Sequence, residues 1–344
     1  MPSHHQSEYF FELSKQCHLK VFYLNKQDER RKTLGWQEPE LKYFEQYCKN
    51  LYFQLFMLFK HRNEIHVITG CGNISNIFTW LFCRLFRVKW CHLSENISNN
   101  PNRSFFKNVI IKEYYKSVSN RALCAFAIGN KAKRSFIELG IEPSKIFITN
   151  YSSAINDDLT SKTTVSSPIK AIVLGEICLH KGSDILLENI EIFSDKLNVD
   201  FYGSVKDENK NFITKINLKK NTRYLGVVNS NSINSLLSEY DLLIFPSRVD
   251  GWGMAVHEAI SNNTPVICSV EAGCSEHLII DGFNGYLITP DQNALQQAIN
   301  RYIKNPNLLL THSANCSEHK KLFSPFNTAK VFLNNLIKSM KFYD

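Results

Sequence analysis

The chain has 344 residues, of which 44% are apolar, 12% aromatic and 21% charged. This composition excludes a disordered, collagen-like or coiled-coil protein, and the length predicts about two domains. Forty lysines and arginines against 32 acidic residues give a net charge of +8, which indicates an anionic partner such as phosphate groups, nucleic acid or a lipid surface.

Apolar segments rich in β-branched residues alternate along the chain with segments that have a helical pattern. Continuous apolar runs predict strands buried on both faces, and their alternation with helices predicts parallel βαβ units. The predicted strands begin at Leu19, Ile65, Val88, Leu123 and Lys145 in the first half, and at Lys170, Val199, Thr222, Asp241 and Pro265 in the second half. The chain is therefore predicted to form doubly wound α/β sheets.

A segment rich in serine, threonine and aspartate, residues 156–168, is typical of an interdomain linker. We therefore predict an N-terminal domain over 1–155 and a second domain over 169–323. A basic helix is predicted to follow over 324–344.

The ten cysteines include no C-x-x-C pair, which argues against a zinc ribbon or a thioredoxin motif. Several lie in apolar runs, as buried thiols do in a reducing compartment. No uninterrupted apolar stretch approaches the ~20 residues of a transmembrane helix. Residues 1–15 lack the apolar region of a signal peptide, so we expect a cytoplasmic protein.

The most informative segment spans residues 245–288, where a buried strand is predicted to end at Pro246 and a helix to begin near Met254. Two glycines in the intervening loop, Gly251 and Gly253, let the backbone approach a ligand closely. The amides and dipole of the following helix N-terminus suit an anion such as a pyrophosphate. In an open α/β sheet, this is also the edge at which ligands bind.

Two acids flank the predicted helix start. Glu258, about one turn into the helix, could reach the vicinal hydroxyls of a ribose, and Asp250 on the loop could accept hydrogen bonds from sugar hydroxyls. The local pattern alone favours the other interpretation, which is an ordinary strand-to-helix turn that carries a solvated acid and a glycine cap.

Segment 245–288 resembles the glycosyl transferases group 1 domain, family 4 of the GT-B glycosyltransferases. The family pattern has two acids eight positions apart, followed by T-P-V, a glycine-rich turn and D-G-x-N-G. The matching residues here are Asp250, Glu258, Ala259, Thr264, Pro265, Val266, Gly273, Glu276, Asp281, Gly282, Asn284 and Gly285. The segment from Gly175 to Lys181 is similar to the family's G-R-x-x-x-x-K-G motif.

The resemblance implies an α/β GT-B fold, with two Rossmann-like doubly wound domains facing a cleft and a C-terminal helix. It implies a retaining glycosyltransferase that moves a sugar from a UDP- or GDP-linked donor to a saccharide or lipid-linked acceptor, in surface polysaccharide or lipopolysaccharide synthesis. No cofactor, metal or nucleic acid is expected. The alternatives are a nucleotide-sugar epimerase on the same scaffold and a non-catalytic nucleotide-sugar-binding protein.

The resemblance also implies roles for individual residues. Glu258 matches the acid that holds the ribose, Asp250 the acid that holds the donor sugar, and Lys181 the lysine that neutralises the pyrophosphate. The candidate donor-binding residues are Gly175, Lys181, Arg248, Gly251, Trp252, Gly253, Met254 and Glu258. In the first domain, His92 and Glu95 near a strand end are candidates to meet the donor sugar in the cleft.

Three residues and the start of the chain depart from the family pattern. Asp250 replaces a glutamate and keeps the charge, and Cys274 stands near the second glycine of the glycine-rich turn. Glu176 stands where the family has a phosphate-pairing arginine, for which Arg248 is a candidate substitute. The family's first domain opens with a strand and a glycine-containing loop, whereas residues 2–6 of this chain begin where that loop would lie, so we expect the first strand to be missing. His5 (with His4) would then either face the cleft or form a frayed terminus.

Basic and aromatic residues are interleaved over residues 78–90, which include Arg84, Arg87 and Lys89. One interpretation is a surface that docks on anionic lipid, which would make the protein a peripheral membrane protein. The other is a core helix followed by a strand, with arginines that reach out to solvent.

Overall fold

The computed structural model describes residues 2–26, 31, 33, 35, 39–96, 104–155, 161–188 and 190–341. In the first half, the elements in chain order are α1 (His4–Ser14), β1 (Val21–Tyr23), β2 (Glu45–Tyr47), α2 (Leu51–Lys60), β3 (His66–Ile68), α3 (Ile74–Leu85), β4 (Trp90–Ser94), α4 (Phe105–Arg121), β5 (Ala125–Ile128), α5 (Gly129–Glu138) and β6 (Ile146–Thr149).

Strands β3, β4, β5 and β6 form a parallel sheet in sequential order. One face packs against the helices between its strands, with Trp80, Tyr114 and Phe136 in that core. The other face is covered by α1 and by the last helix of the chain, through Leu13 and Phe332. Helices on both faces explain why these strands are continuously apolar. Strand β1 instead pairs with β2 in a separate two-stranded sheet.

In the second half, the elements in chain order are β7 (Ile169–Leu174), α6 (Ser183–Leu187), β8 (Leu197–Tyr202), α7 (Asn211–Leu218), β9 (Thr222–Tyr224), α8 (Ile233–Ser238), β10 (Leu242–Phe245), α9 (Met254–Ser261), β11 (Val266–Ser269), α10 (Ser275–Leu278), β12 (Gly285–Ile288), α11 (Gln292–Lys304), α12 (Asn307–His319) and α13 (Pro325–Lys341).

The second sheet is parallel throughout and has the order β12-β11-β10-β7-β8-β9. This is the strand order of a dinucleotide-binding Rossmann sheet. The chain direction across the sheet reverses between β7 and β10, which pair through Ala171 and Leu242. The crevice at the carboxyl ends of these two strands is the expected ligand site of such a sheet.

Helix α13 follows the second domain but packs on the first, against α1 and β6. The ring centroids of Phe332 and Phe126 lie 4.2 Å apart. The predicted terminal helix is therefore present and ties the two halves together. The predicted boundaries at 155, 169 and 323 remain predictions.

All ten strands predicted from the sequence are present, and the α/β fold class is confirmed. Two further strands, β2 and β12, were not predicted because each is short and carries polar or turn-forming residues at its start. None of the helices within the described ranges is long and apolar enough to cross a membrane.

Candidate functional site

The loop between β10 and α9 touches the loop between β11 and α10, and each of the two loops has a position that only glycine allows. Gly253 has a φ of +97°, and a Cβ atom there would lie 3.1 Å from the Cys274 thiol. A Cβ on Gly273 would lie 1.9 Å from the carbonyl oxygen of Gly251. The glycine-rich turn of the sequence motif therefore exists so that two loops can touch at the carboxyl edge of the sheet.

Backbone hydrogen bonds fix the same loop. The amide of Gly273 donates to the carbonyl of Asp250 at 3.1 Å, and the amide of Cys274 donates to that of Trp252 at 2.8 Å. Cys274, which departs from the family pattern, is fully buried under Gly253. The loop is thus held rigidly before α9 begins at the half-buried Met254.

Lys181 and Asp250 meet at this edge although they are far apart in sequence. The lysine ammonium group forms an ion pair with Asp250 Oδ2, and Asp250 Oδ1 accepts from the amide of Trp252 at 3.2 Å. Lys181 closes a 3₁₀ turn, Leu179–Lys181, that follows Gly175 at the end of β7. The structure therefore brings together the predicted pyrophosphate lysine and the predicted sugar acid.

Glu258 lies on α9 with its carboxylate against the first domain. Burial raises its pKa to about 8, because charge is disfavoured away from water. The Nδ1 atom of His5 on α1 lies 3.7 Å from Glu258 Oε1, and both side chains are more than nine-tenths buried. The hypothesis that His5 faces the cleft agrees with this position, whereas the side chain of His4 lies outside the described residues.

Glu95 of the first domain reaches the donor-side loop. A Cβ atom on Gly251 would lie 2.2 Å from Glu95 Oε2, so this glycine leaves room for the carboxylate. Burial and the charge of Asp250 raise the pKa of Glu95, and a hydrogen bond from Tyr151 opposes that rise. Two acids from different domains therefore lie side by side at the loop.

Tyr151 is a site residue that sequence reasoning missed. It follows β6, hydrogen-bonds Glu95, and its ring packs edge-on against Trp252 with centroids 5.8 Å apart. Its position directly after a predicted strand was the signal that could have found it, since carboxyl ends of parallel strands meet at one edge.

His92 does not face the cleft, so that part of the prediction was wrong. Its side chain is fully buried, with Nδ1 2.9 Å from the Tyr114 hydroxyl and Nε2 3.0 Å from Ser94 Oγ. Burial lowers its pKa to about 3, so the ring stays neutral. His92 sits inside β4 and points into the helix-covered core, whereas Glu95 lies beyond the strand end.

The contacts of Arg248 lie away from the tip of the loop between β10 and α9. Its guanidinium group forms a two-pronged ion pair with Asp184 at 2.7 Å and also donates to the carbonyl of Leu179. The cation beside Glu176 is Lys206, at 2.9 Å. The suggestion that Arg248 replaces the missing arginine is therefore not supported by its contacts.

The first domain also packs against the loop between β10 and α9, through the start of α5. A Cβ on Gly129, whose φ is +80°, would lie 3.0 Å from the Trp252 ring. The amide of Asn130 donates to His277 Nε2 at 2.9 Å, and Arg134 forms a two-pronged ion pair with Glu276. Glu276, a family-pattern residue, thus serves as a contact between domains.

No group of three or more histidines, cysteines, aspartates and glutamates in the described part of the chain could hold a metal ion. Metal-independent chemistry remains a prediction from the resemblance.

The sequence model of the family described as "Glycosyl transferases group 1" matches residues 156–322. The chain is 30% identical over 154 residues to an uncharacterized glycosyltransferase of Methanocaldococcus jannaschii, covering 44% of this chain and 43% of the relative. It is 25% identical to the Campylobacter jejuni N,N'-diacetylbacillosaminyl-diphospho-undecaprenol alpha-1,3-N-acetylgalactosaminyltransferase, covering 72% of this chain and 61% of the relative. The chain spans less than half the length of several curated relatives it matches.

Among solved structures, the Anabaena protein Alr3699/HepE in complex with UDP superposes with a TM-score of 0.72. The identity is 16%, and 86% of each chain is covered. At this identity the likeness concerns the fold, which is that of a two-domain GT-B protein.

Proposed function

Because this chain belongs to the glycosyl transferases group 1 family through its residues 156–322, we propose that it is a retaining glycosyltransferase. It would move a sugar from a UDP- or GDP-linked donor to a saccharide or lipid-linked acceptor, in the synthesis of a surface polysaccharide or lipopolysaccharide. The observation that carries the proposal is the ion pair between Lys181 and Asp250 at the switch point of the second sheet, with Glu258 on the helix that follows the same loop.

The electrostatics of this edge favour a diphosphate donor. Breaking the bond between the sugar and the β-phosphate leaves negative charge on the diphosphate, which a fixed cation and backbone amides stabilise. Lys181 is that cation, and the amides at the start of α9 are the dipolar donors. Donor binding would transfer Lys181 from Asp250 to the phosphate oxygens and leave Asp250 for the sugar hydroxyls.

The first domain supplies Glu95 and Tyr151 on the opposite side of the same loop. In a retaining transfer the acceptor hydroxyl attacks the face from which the diphosphate departs, so the acceptor must lie near the leaving group. Glu95 is positioned to orient the sugar or the acceptor there.

The acceptor class is supported by relatives. The name of the Campylobacter relative contains a diphospho-undecaprenol substrate. The name of an Escherichia coli relative, 31% identical over 128 residues, contains a diphosphoundecaprenol substrate as well. We therefore propose a lipid-linked acceptor and peripheral association with the inner face of the cytoplasmic membrane.

The function is tested with purified protein, a panel of UDP-, GDP- and ADP-sugars, and the variant Asp250→Asn. The matching donor at ~100 times its dissociation constant should add ~2.7 kcal/mol of stability. Asp250→Asn should keep nucleoside diphosphate affinity but lose transfer by about 100-fold, equivalent to about 2.7 kcal/mol. Asp250→Glu, which restores the family residue, is the matched control and should retain activity.

Three outcomes would contradict the proposal. Transfer by Asp250→Asn at the wild-type rate would make the loop acid a bystander. Release of a free epimer without acceptor would indicate an epimerase, and donor binding without turnover would indicate a binding protein.

A further inference from the structure

Helices α2 and α3 expose a continuous set of apolar side chains that the site does not use. On α2, Tyr52, Phe56 and Phe59 are spaced i, i+4 and i+7, so they lie along one side of the helix. They are exposed, Tyr52 by 83% and Phe56 by 61%. On α3, Leu81 and Leu85 are spaced i and i+4, and Leu85 is 75% exposed.

The two stripes meet where the helices end. The ring of Phe59 lies 4.9 Å from that of the exposed Phe86, which directly follows α3. We call the surface formed by Tyr52, Phe56, Phe59, Leu81, Leu85 and Phe86 the α2–α3 face. Exposed apolar surfaces of this kind usually mark an interaction site.

Basic residues border the α2–α3 face. Lys60, Arg62, Arg84, Arg87 and Lys89 are all exposed and lie next to its aromatic end in the sequence. Residues 49–96 contain six lysines and arginines but only two acids, Glu64 and Glu95. Glu64 contacts the His61 ring at 2.9 Å, and Glu95 lies in the cleft, so neither offsets the basic border.

We infer that the α2–α3 face docks on an anionic lipid bilayer. Aromatic and aliphatic side chains can enter the headgroup boundary while the surrounding cations meet lipid phosphates. A symmetric contact with a second copy would instead bring two basic borders together. Single-stranded nucleic acid would use aromatic stacking in a basic groove, for which Leu81 and Leu85 offer nothing.

The fold also orients this face relative to the cleft. Helix α3 follows β3 after the short loop 69–73, and Glu95 directly follows β4, which runs parallel to β3. The start of α3 and Glu95 therefore share one edge of the sheet. Leu85 and Phe86, at the other end of α3 and just before β4, lie at the opposite edge, so the aromatic and basic end of the α2–α3 face is across the sheet from Glu95.

The inference deepens the proposed function, and its test uses no donor or acceptor. Flotation is measured with phosphatidylcholine vesicles, with and without phosphatidylglycerol, at low and high salt. We expect binding only to the anionic vesicles and weaker binding at high salt. Arg84→Gln, Arg87→Gln and Lys89→Gln together should weaken it on the order of 100-fold, since each basic residue contributes about 1 kcal/mol. The double variant Phe56→Ser and Leu85→Ser should also weaken it.

The matched control removes three exposed lysines of the second domain, Lys196, Lys215 and Lys220, by the same change to glutamine. It lowers the net charge equally and should bind as wild type. The inference would be overturned if the wild-type protein did not bind anionic vesicles at low salt, or if the control variant lost as much vesicle binding as the basic-border variant. It would also be overturned if the protein formed a dimer that Leu85→Ser dissociates. If every variant is stabilised by the donor as the wild type is, the variants are folded. Sugar transfer to a water-soluble acceptor, measured separately, tests the proposed function independently of vesicle binding.

Discussion

The carboxyl edges of the two sheets contribute differently to the candidate site. In the second domain, Lys181 and Asp250 extend from loops that backbone hydrogen bonds and glycine contacts hold in place. In the first domain, the corresponding edge contributes Glu95 and Tyr151 as side chains that reach across the cleft, while His92 remains in the core. The donor side is therefore fixed by local backbone geometry, and the first-domain side depends on which side chains project past the strand ends.

This difference leads to a large expected effect at Lys181. Lys181→Ala removes the cation placed to stabilise the departing diphosphate, so transfer should fall by about 10²–10³-fold, or about 2.7–4 kcal/mol on the transition state. Steady-state kinetics with the matching donor measures the loss.

Arg248→Gln is the control for Lys181, because Arg248 lies on the same rim but pairs with Asp184. It should leave transfer nearly unchanged. A loss as large as that of Lys181→Ala would show that Arg248 is the phosphate-binding base after all.

The next effect concerns pH and the contact between domains at Glu258. Its folded pKa of about 8 lies above the unfolded value of 4.5, so the folded state holds a proton that the unfolded chain releases. This contribution to stability is complete below about pH 4.5 and is lost as pH rises to about 8, by up to about 1.4 kcal/mol per unit. Glu258→Gln should remove this slope in melting temperature, with His5 as the titratable neighbour left in place.

The pH experiment has a direct control in His5→Gln, which keeps the acid and removes the ring that faces it. A wild-type melting temperature that rises between pH 6 and pH 8 would contradict a buried neutral Glu258. So would a Glu258→Gln variant whose melting temperature depends on pH as the wild type's does.

The smallest effects distinguish the two first-domain candidates. His92→Leu leaves the Tyr114 hydroxyl without its buried partner, so unfolding free energy should fall by about 1–3 kcal/mol while kcat per folded molecule stays the same. Glu95→Gln should show the reverse, because the amide keeps the shape of the side chain but removes the charge of the carboxylate. Stability and donor affinity should change little, and sugar transfer should be roughly tenfold slower.

Denaturant unfolding and steady-state kinetics on both variants give the result. A loss of kcat in folded His92→Leu, or unchanged transfer by Glu95→Gln, would reverse the assignment of the two residues.

Several features were predictable from local sequence alone. Continuous apolar runs gave the strands, because strands buried on both faces need no polar side. The spacing of Asp250, Gly253 and Glu258 predicted a loop and a helix start, because a strand end, a left-handed glycine and a helical turn are fixed over a few residues. Lys181 was found only through the family resemblance, since its approach to Asp250 depends on two strands pairing.

The remaining features were decided by tertiary structure. His92 and Glu95 lie three residues apart. Packing of α4 and α5 on β4 buries His92, whereas Glu95 lies beyond the end of the strand and projects into the cleft. Arg248 is occupied by Asp184, a residue 64 positions away, and Tyr151 meets Glu95 only because β4 and β6 end at the same edge. Spacing along the chain determines local backbone geometry, whereas the direction and partner of a side chain depend on elements that become neighbours only when the sheets form.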